Sequence, residues 1–203
     1  MMSYNLNLLS VDQIIIHIRH RGYMSGIERD ILRVKSTSEV FTPTDIVYAT
    51  LAKIPISQFQ DPTKTFLDNS CGDGQFLGEV LIRKMENGST FEQALSTTYG
   101  VDMMIDNVDL CRERLLCGRE DLRHIVEQNI YQADALKFSY EFKPMSATRL
   151  AREHKQRHRV QKAKQTADKA KKEQEFKDRA TKLFGLAVPK EKSQKSIALK
   201  ETS

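Results

Sequence analysis

The order of apolar and polar positions divides the chain into short, alternating segments. Positions 11–18 carry the apolar spacing of a helix, and a polar stretch around Gly22 and Gly26 follows. Thr42-Pro43 opens a second helix, with Thr as cap and Pro in the first helical position, and Ile46, Val47, Thr50 and Leu51 form its apolar face. A strand is predicted over 65–68, and a helix over 76–85 that Asn87-Gly88 closes. A second strand covers 97–101. Val108, Cys111 and Leu115 line a further helix ending at Gly118, and a third strand covers 129–133. Strands alternating with helices predict an α/β fold with a parallel, doubly wound sheet.

Beyond position 143 the pattern changes. Glycine is absent from 144 to 184, and Ala, Lys, Arg, Gln and Glu dominate. One long helix is predicted, capped by Ser146 or Thr148 and stopped by Gly185 and Pro189; at 1.5 Å per residue it would be roughly 55–60 Å long. Its apolar stripe is thin: Val160, Ala163, Ala167 and Ala170, then Phe176, Ala180, Leu183 and Phe184 after a change of phase. The pattern suits an exposed arm or a weak coiled-coil seam. Positions 190–203 read as disordered. Four parts follow: a helical lead-in over 1–40, an α/β domain over 41–142, a basic helical tail over 143–189 and a disordered end over 190–203.

Charge sharpens this division. The 203 residues carry a net charge of +5, but positions 143–203 hold 18 Lys and Arg against 7 Asp and Glu, which leaves the body acidic. An acidic body with a basic tail points to a polyanion held by the tail, nucleic acid foremost. The candidate phosphate contacts are Arg149, Arg152, Lys155, Arg157, Arg159, Lys162 and Lys164. No aromatic residue stands among them to stack on a base, so base reading is not expected. Over 149–164 the only acid is Glu153. No apolar run reaches the ~18 residues of a membrane span. The start lacks the pattern of a signal peptide, and three cysteines without a Cys-x-x-Cys pair exclude a disulfide scaffold and a thiolate zinc site. A reduced, cytoplasmic setting is expected. The five histidines show no metal-binding spacing.

The chemistry is concentrated in Asp68-Asn69-Ser70-Cys71-Gly72-Asp73-Gly74-Gln75-Phe76, where a strand ends in an acid, two glycines turn the chain and a helix begins. Such a turn lets a ligand approach backbone amides, at the carboxyl ends of the strands, where open parallel sheets bind ligands. It is neither the dinucleotide fingerprint, since Leu77 stands at the third glycine position, nor a P-loop. Gly100-Val101-Asp102 and Ala133-Asp134-Ala135-Leu136 set an acid at the end of each later strand. There Asp102 could accept ribose hydroxyls and Asp134 an adenine amine, a set that suits an adenosyl ligand without phosphates. The same three acids would also serve as caps for the helices that follow them.

These segments resemble the S-adenosylmethionine-dependent DNA methyltransferases, in particular the N6-adenine class, over roughly positions 30–137. The glycine turn is similar to their Asp-Pro-x-Cys-Gly-x-Gly-x-Phe, with Asn69 for the Pro, and Gly100-Val101-Asp102 to their ribose-binding Gly-x-Asp. Ala133-Asp134-Ala135-Leu136 is similar to their Gly-Asp-Ala-Leu. Glu39-Val40-Phe41-Thr42-Pro43-Thr44-Asp45-Ile46-Val47 resembles the Thr-Pro motif that holds the methionine end of the cofactor. The resemblance implies a partial Rossmann-like methyltransferase core that takes S-adenosyl-L-methionine, with Thr42, Asp68, Cys71, Gly72, Gly74, Phe76, Asp102 and Asp134 as binding residues. It assigns no catalytic residue. Where the family carries Asn/Asp-Pro-Pro-Tyr/Phe, this chain reads Phe138-Ser139-Tyr140-Glu141-Phe142-Lys143-Pro144-Met145. Lys143 offers donors and no side-chain acceptor for a target amine. Two functions follow as expectations: methyl transfer to DNA completed by a second chain, or a catalytically inactive relative that binds DNA or a methyltransferase partner.

Overall fold

The computed structural model describes residues 10–20 and 42–184. Its elements are α1 (Val11–His20), α2 (Thr44–Leu51), α3 (Ser57–Gln60), β1 (Phe66–Asp68), α4 (Gln75–Glu86), α5 (Phe91–Ser96), β2 (Thr98–Asp102), α6 (Ile105–Leu116), α7 (Arg123–Asn129), β3 (Ile130–Gln132) and α8 (Ala147–Phe184). The expected alternation is present: the strands form one parallel sheet in the order β1-β2-β3, with Asp68 opposite Gly100 and Asp102 opposite Gln132. Two helices that the apolar spacing did not predict complete the connections. The first, α5, is set by a capping box: the Thr90 hydroxyl accepts the Gln93 N–H, and the Gln93 side chain accepts the Thr90 N–H. The second, α7, follows a 3₁₀ turn at Glu120–Leu122. The stretch around Gly22 and Gly26, positions 39–41 of the Thr-Pro motif, and the end from 185 onward lie outside the described residues.

Alternation along the strands sorts the sheet into two faces. Phe66, Thr98, Gly100 and Ile130 share the face covered by helices. Gly100 lets α4 approach closely, because a Cβ there would stand 2.8 Å from Leu77 Cδ1 and 2.9 Å from Cys71 Sγ. Val47, Leu51, Phe59 and Val80 form a buried cluster beside Phe66, whose ring stacks on Phe59 at 5.0 Å. Leu67, Tyr99, Val101 and Tyr131 share the other face. The chain after β3 covers it at Tyr99 and Tyr131, with Phe142 at 4.7 Å from the Tyr99 ring and Phe138 at 4.9 Å from the Tyr131 ring, and Arg149 of α8 joins them over Tyr131. Leu67 is 51% exposed.

The long helix begins at Ala147, and of the two expected caps Ser146 makes the bond, accepting the Arg149 N–H at 3.2 Å. The chain divides into two compact units, Met1–Arg157 and His158–Ser203, so the first turns of α8 belong with the body. Glu153 explains this. Its side chain is fully buried and accepts both Arg112 nitrogens (2.7 and 3.0 Å), Arg149 Nε (3.0 Å) and Arg157 Nη2 (3.2 Å). Arg112 and Arg149 also donate to the Ile130 carbonyl, at 2.6 and 3.0 Å, and Arg149 lies 3.4 Å over the Tyr131 ring. Guanidinium groups thereby satisfy the carbonyl at the start of β3. Among the described residues no helix is long and apolar enough to cross a membrane.

Removing one partner of a buried ionic cluster leaves the others desolvated and unpaired. Glu153→Ala is therefore expected to destabilise the body by about 3–5 kcal/mol in urea unfolding. Burial alone would push the Glu153 carboxyl up, but Arg112 and Arg149 outweigh it and hold it below the usual glutamate range. Its contribution is thus present above the unfolded-state pKa and lost as pH falls through the lower folded-state value. Glu153→Gln should flatten that acid limb of the stability curve.

Candidate functional site

Asp68 ends β1, Asp102 ends β2 and Asp134 stands two positions after β3, and all three make the same local bond. Asp68 Oδ1 accepts the Ser70 N–H at 3.0 Å, Asp102 Oδ1 the Met104 N–H at 2.7 Å, and Asp134 Oδ1 the Leu136 N–H at 3.1 Å. All three acids therefore close local turns, whereas the helix caps expected of them are not made: α4 has Gly74 and α6 has Met104 at its N-cap, each without a side-chain cap. Their surroundings differ. Asp68 is held up by burial, with the Asp102 charge adding to the effect and the Ser70 N–H opposing it. Asp134 lies at the surface, where Lys137 at 2.8 Å and the Leu136 N–H hold its carboxyl below the usual range.

Asp102 does more than close its turn. Its Oδ2 accepts the Gly72 N–H at 3.0 Å, and Asn107 Nδ2 donates to Oδ1 at 3.3 Å. The glycine turn after β1 is thus tied to the end of β2. Gly72 and Gly74 both take positive φ, +51° and +88°. Gly74 caps α4 with its backbone, and a Cβ there would meet Cys111 Sγ at 2.8 Å. Its part in the site is to turn the chain while α6 packs against it. No side chain caps α4 and no acid stands in its first turn, so its N–H groups and the positive end of its dipole remain available.

This turn borders a cavity of about 300 Å³. Of the residues that the resemblance implies, Thr42, Asp68, Cys71, Gly72 and Phe76 line it; Gly74, Asp102 and Asp134 do not. The volume sits at the low end for a small-molecule site. Ser70, Asp73 and Gln75 line it as well, and the sequence reading did not select them. Asp73 is buried and pairs with Arg114 Nη2 at 2.8 Å, a partner 41 positions away that no local signal reveals. Gln75 is 4% exposed, and neither atom of its amide group has a protein hydrogen-bond partner. Cys71 is buried, and its hydrogen bond to Cys111, followed by burial, pushes its thiol up, far from the thiolate range.

The basic residues of the tail fall into two sets. Lys155, Arg159, Lys162 and Lys164 are exposed. Arg149 is buried in the Glu153 cluster, which removes it from any phosphate surface. Arg157 makes two bonds of 2.7 Å to Asp109, and Arg152 reaches the Gln132 carbonyl at 3.5 Å. A basic residue near the start of α8 thus serves the fold before it can serve a ligand. The lone acid in the run, Glu153, was the available signal.

Comparison with protein-family models, curated proteins and solved structures finds no match to this chain. Fold and site together define an α/β protein with a parallel sheet and a polar cavity at the carboxyl end of its first strand.

The glycine turn can be tested against Gly88, whose φ of +102° is similar but whose Cβ position is open space. Gly88→Ala should cost only the backbone strain, about 1–2 kcal/mol. Gly74→Ala adds an overlap with Cys111 and should cost about 1–3 kcal/mol more in equilibrium unfolding.

Proposed function

We propose that this chain binds S-adenosyl-L-methionine and is a DNA adenine-N6 methyltransferase-like protein, with methyl transfer completed by a second chain. The observation that carries the reading is the cavity at the turn from Asp68 to Phe76, bordered by Thr42 of the Thr-Pro motif. The order of the three parallel strands, with an acid at the end of β1 and of β2 and another two positions after β3, supports it. When bound, the cofactor supplies an electrophilic methyl group on a sulfonium. Thr42, Asp68 and the start of α4 would hold its amino-acid end. Asp102 would have to share its lone pairs between the ribose and the Gly72 and Met104 N–H groups. The exposed part of the tail, from position 158 to 184, holds nine Lys and Arg against four Asp and Glu and would contact nucleic-acid phosphates.

A specific observation favours the second reading, a catalytically inactive relative that binds DNA or a methyltransferase partner. In the segment where the family holds its target amine, the Lys143 carbonyl already accepts Tyr131 OH at 2.9 Å and Arg149 Nη1 at 3.3 Å. The Lys143 N–H donates back to Tyr131 OH at 3.1 Å. Little is left there to accept a hydrogen bond from a base.

Calorimetric titration with S-adenosylmethionine should give saturable binding by the full chain, weakened at least about tenfold in Asp68→Ala, as expected for losing a charged hydrogen-bonding partner. Absence of heat in the wild type removes the cofactor assignment. Labelled-methyl incorporation into duplex DNA by the chain alone should be negligible; robust incorporation would exclude the inactive reading. A truncation after Arg157 keeps the Glu153 cluster and should lose DNA binding. In the full chain, log affinity should fall with log salt at a slope of about −4 for five phosphates neutralised.

A further inference from the structure

The two edges of the sheet are finished differently. On β3 the Ala133 N–H donates to the Asp102 carbonyl of β2 at 2.9 Å, so alternation turns the Ile130 and Gln132 carbonyls outward. Arginines meet both: Arg112 and Arg149 donate to Ile130 at 2.6 and 3.0 Å, and Arg152 to Gln132 at 3.5 Å. Charged side chains thus close that edge to further pairing.

On β1 the Phe66 N–H donates to the Thr97 carbonyl at 2.9 Å, which turns the Leu67 N–H and carbonyl to the outer edge. Among the described residues no strand pairs with β1 on that side. Leu67 is 51% exposed, and an apolar groove of about 280 Å³, with Leu51, Ile54, Phe76 and Val80 in its wall, lies beside the same strand. Neither Pro nor Lys stands in Phe66-Leu67-Asp68, the usual protection of an open edge.

Such an edge is self-complementary. About a two-fold axis at Leu67, the strand of a second copy runs antiparallel and Leu67 faces its own counterpart, so that each N–H meets the other carbonyl. Asp68 then opposes Phe66 of the second copy, and Lys64 of that copy stands on the diagonal, within reach of a long side chain. The charges match. Lys64 is exposed, and Lys84 Nζ fixes its carbonyl at 2.6 Å. Asp68 is half-buried beside the Asp102 charge, and both effects hold its carboxyl up, so a cation is favoured next to it. The two-fold makes this contact twice.

We infer that two copies of this chain join through their β1 edges into one six-stranded sheet, pairing Leu67 with Leu67 and setting Lys64 of each copy against Asp68 of the other. The second copy thereby contributes a cation to the rim of the cavity that Asp68 lines. The inference stands whichever ligand that cavity takes.

Sedimentation equilibrium of the full chain should show a reversible monomer–dimer equilibrium. Hydrogen exchange at the Leu67 amide should slow as protein concentration rises. Leu67→Lys sets two ammonium groups against each other at the axis and lies outside the core. It should abolish the dimer and leave the unfolding temperature of the monomer unchanged. Lys64→Glu sets an acid against Asp68 and should raise the dissociation constant at least about tenfold, a difference that added salt narrows. A wild-type chain that stays monomeric overturns the inference. A dimer that survives Leu67→Lys does the same, and so does a dissociation constant unmoved by Lys64→Glu. If Leu67→Lys fails to fold, a Leu67 amide whose exchange is independent of concentration in the wild type overturns it.

Discussion

The carboxylate of Asp102 joins the two loops on which the site depends. One oxygen closes the turn after β2 through Met104, and the other holds the Gly72 N–H of the turn after β1. Parallel strands deliver their ends to the same edge of the sheet, so the loops that follow them are neighbours without being neighbours in sequence. The hydrogen bond fixes how the glycine turn leaves β1, and hence where α4 begins. The cavity lies along that turn. Gly74 and Gly100 make the arrangement possible, because a Cβ at either position would overlap the sulfurs of Cys111 or Cys71.

The opposite end of the chain is secured by charge. Glu153 and its three arginine partners attach the first turns of α8 to the body, and two of those arginines finish the Ile130 carbonyl of β3. Buried ionic clusters contribute less net stability than their contacts suggest, because desolvation opposes the attraction. Their geometric demand is strict, however, and sets the register of the helix on the body. A helix rich in lysine and alanine has little apolar area with which to do the same. The basic tail is therefore two things: an anchor up to Arg157 and an exposed cationic helix from His158.

The aromatic segment after β3 folds back onto the sheet. Phe138 and Phe142 turn inward onto Tyr131 and Tyr99 and cover part of the sheet. Tyr131 and Arg149 hold the Lys143 carbonyl. Aromatic rings that form a lid over a sheet are unavailable for stacking on a base.

Local rules determined much of what the sequence made legible. The alternation of strands and helices, the Gly72–Gly74 turn, the strand-end acids and the uninterrupted α8 pattern each depend on residues a few positions apart, and spacing alone expresses them. The capping box Thr90–Gln93 was equally local and marks a helix too short for apolar periodicity. Tertiary structure decided the rest. Arg114 meets Asp73, and Arg112 meets Glu153, across 41 positions in each case. No periodic pattern carries such a distance. The fate of Gln75, Arg149 and Glu153 was open for the same reason: a polar side chain in a sequence signifies solvent until packing removes it. Burial turns Glu153 into an anchor, withdraws Arg149 from the surface and encloses the Gln75 amide beside the glycine turn. Side-chain type sets the hydrogen bonds a residue is able to make, and only the fold decides which partners come within reach.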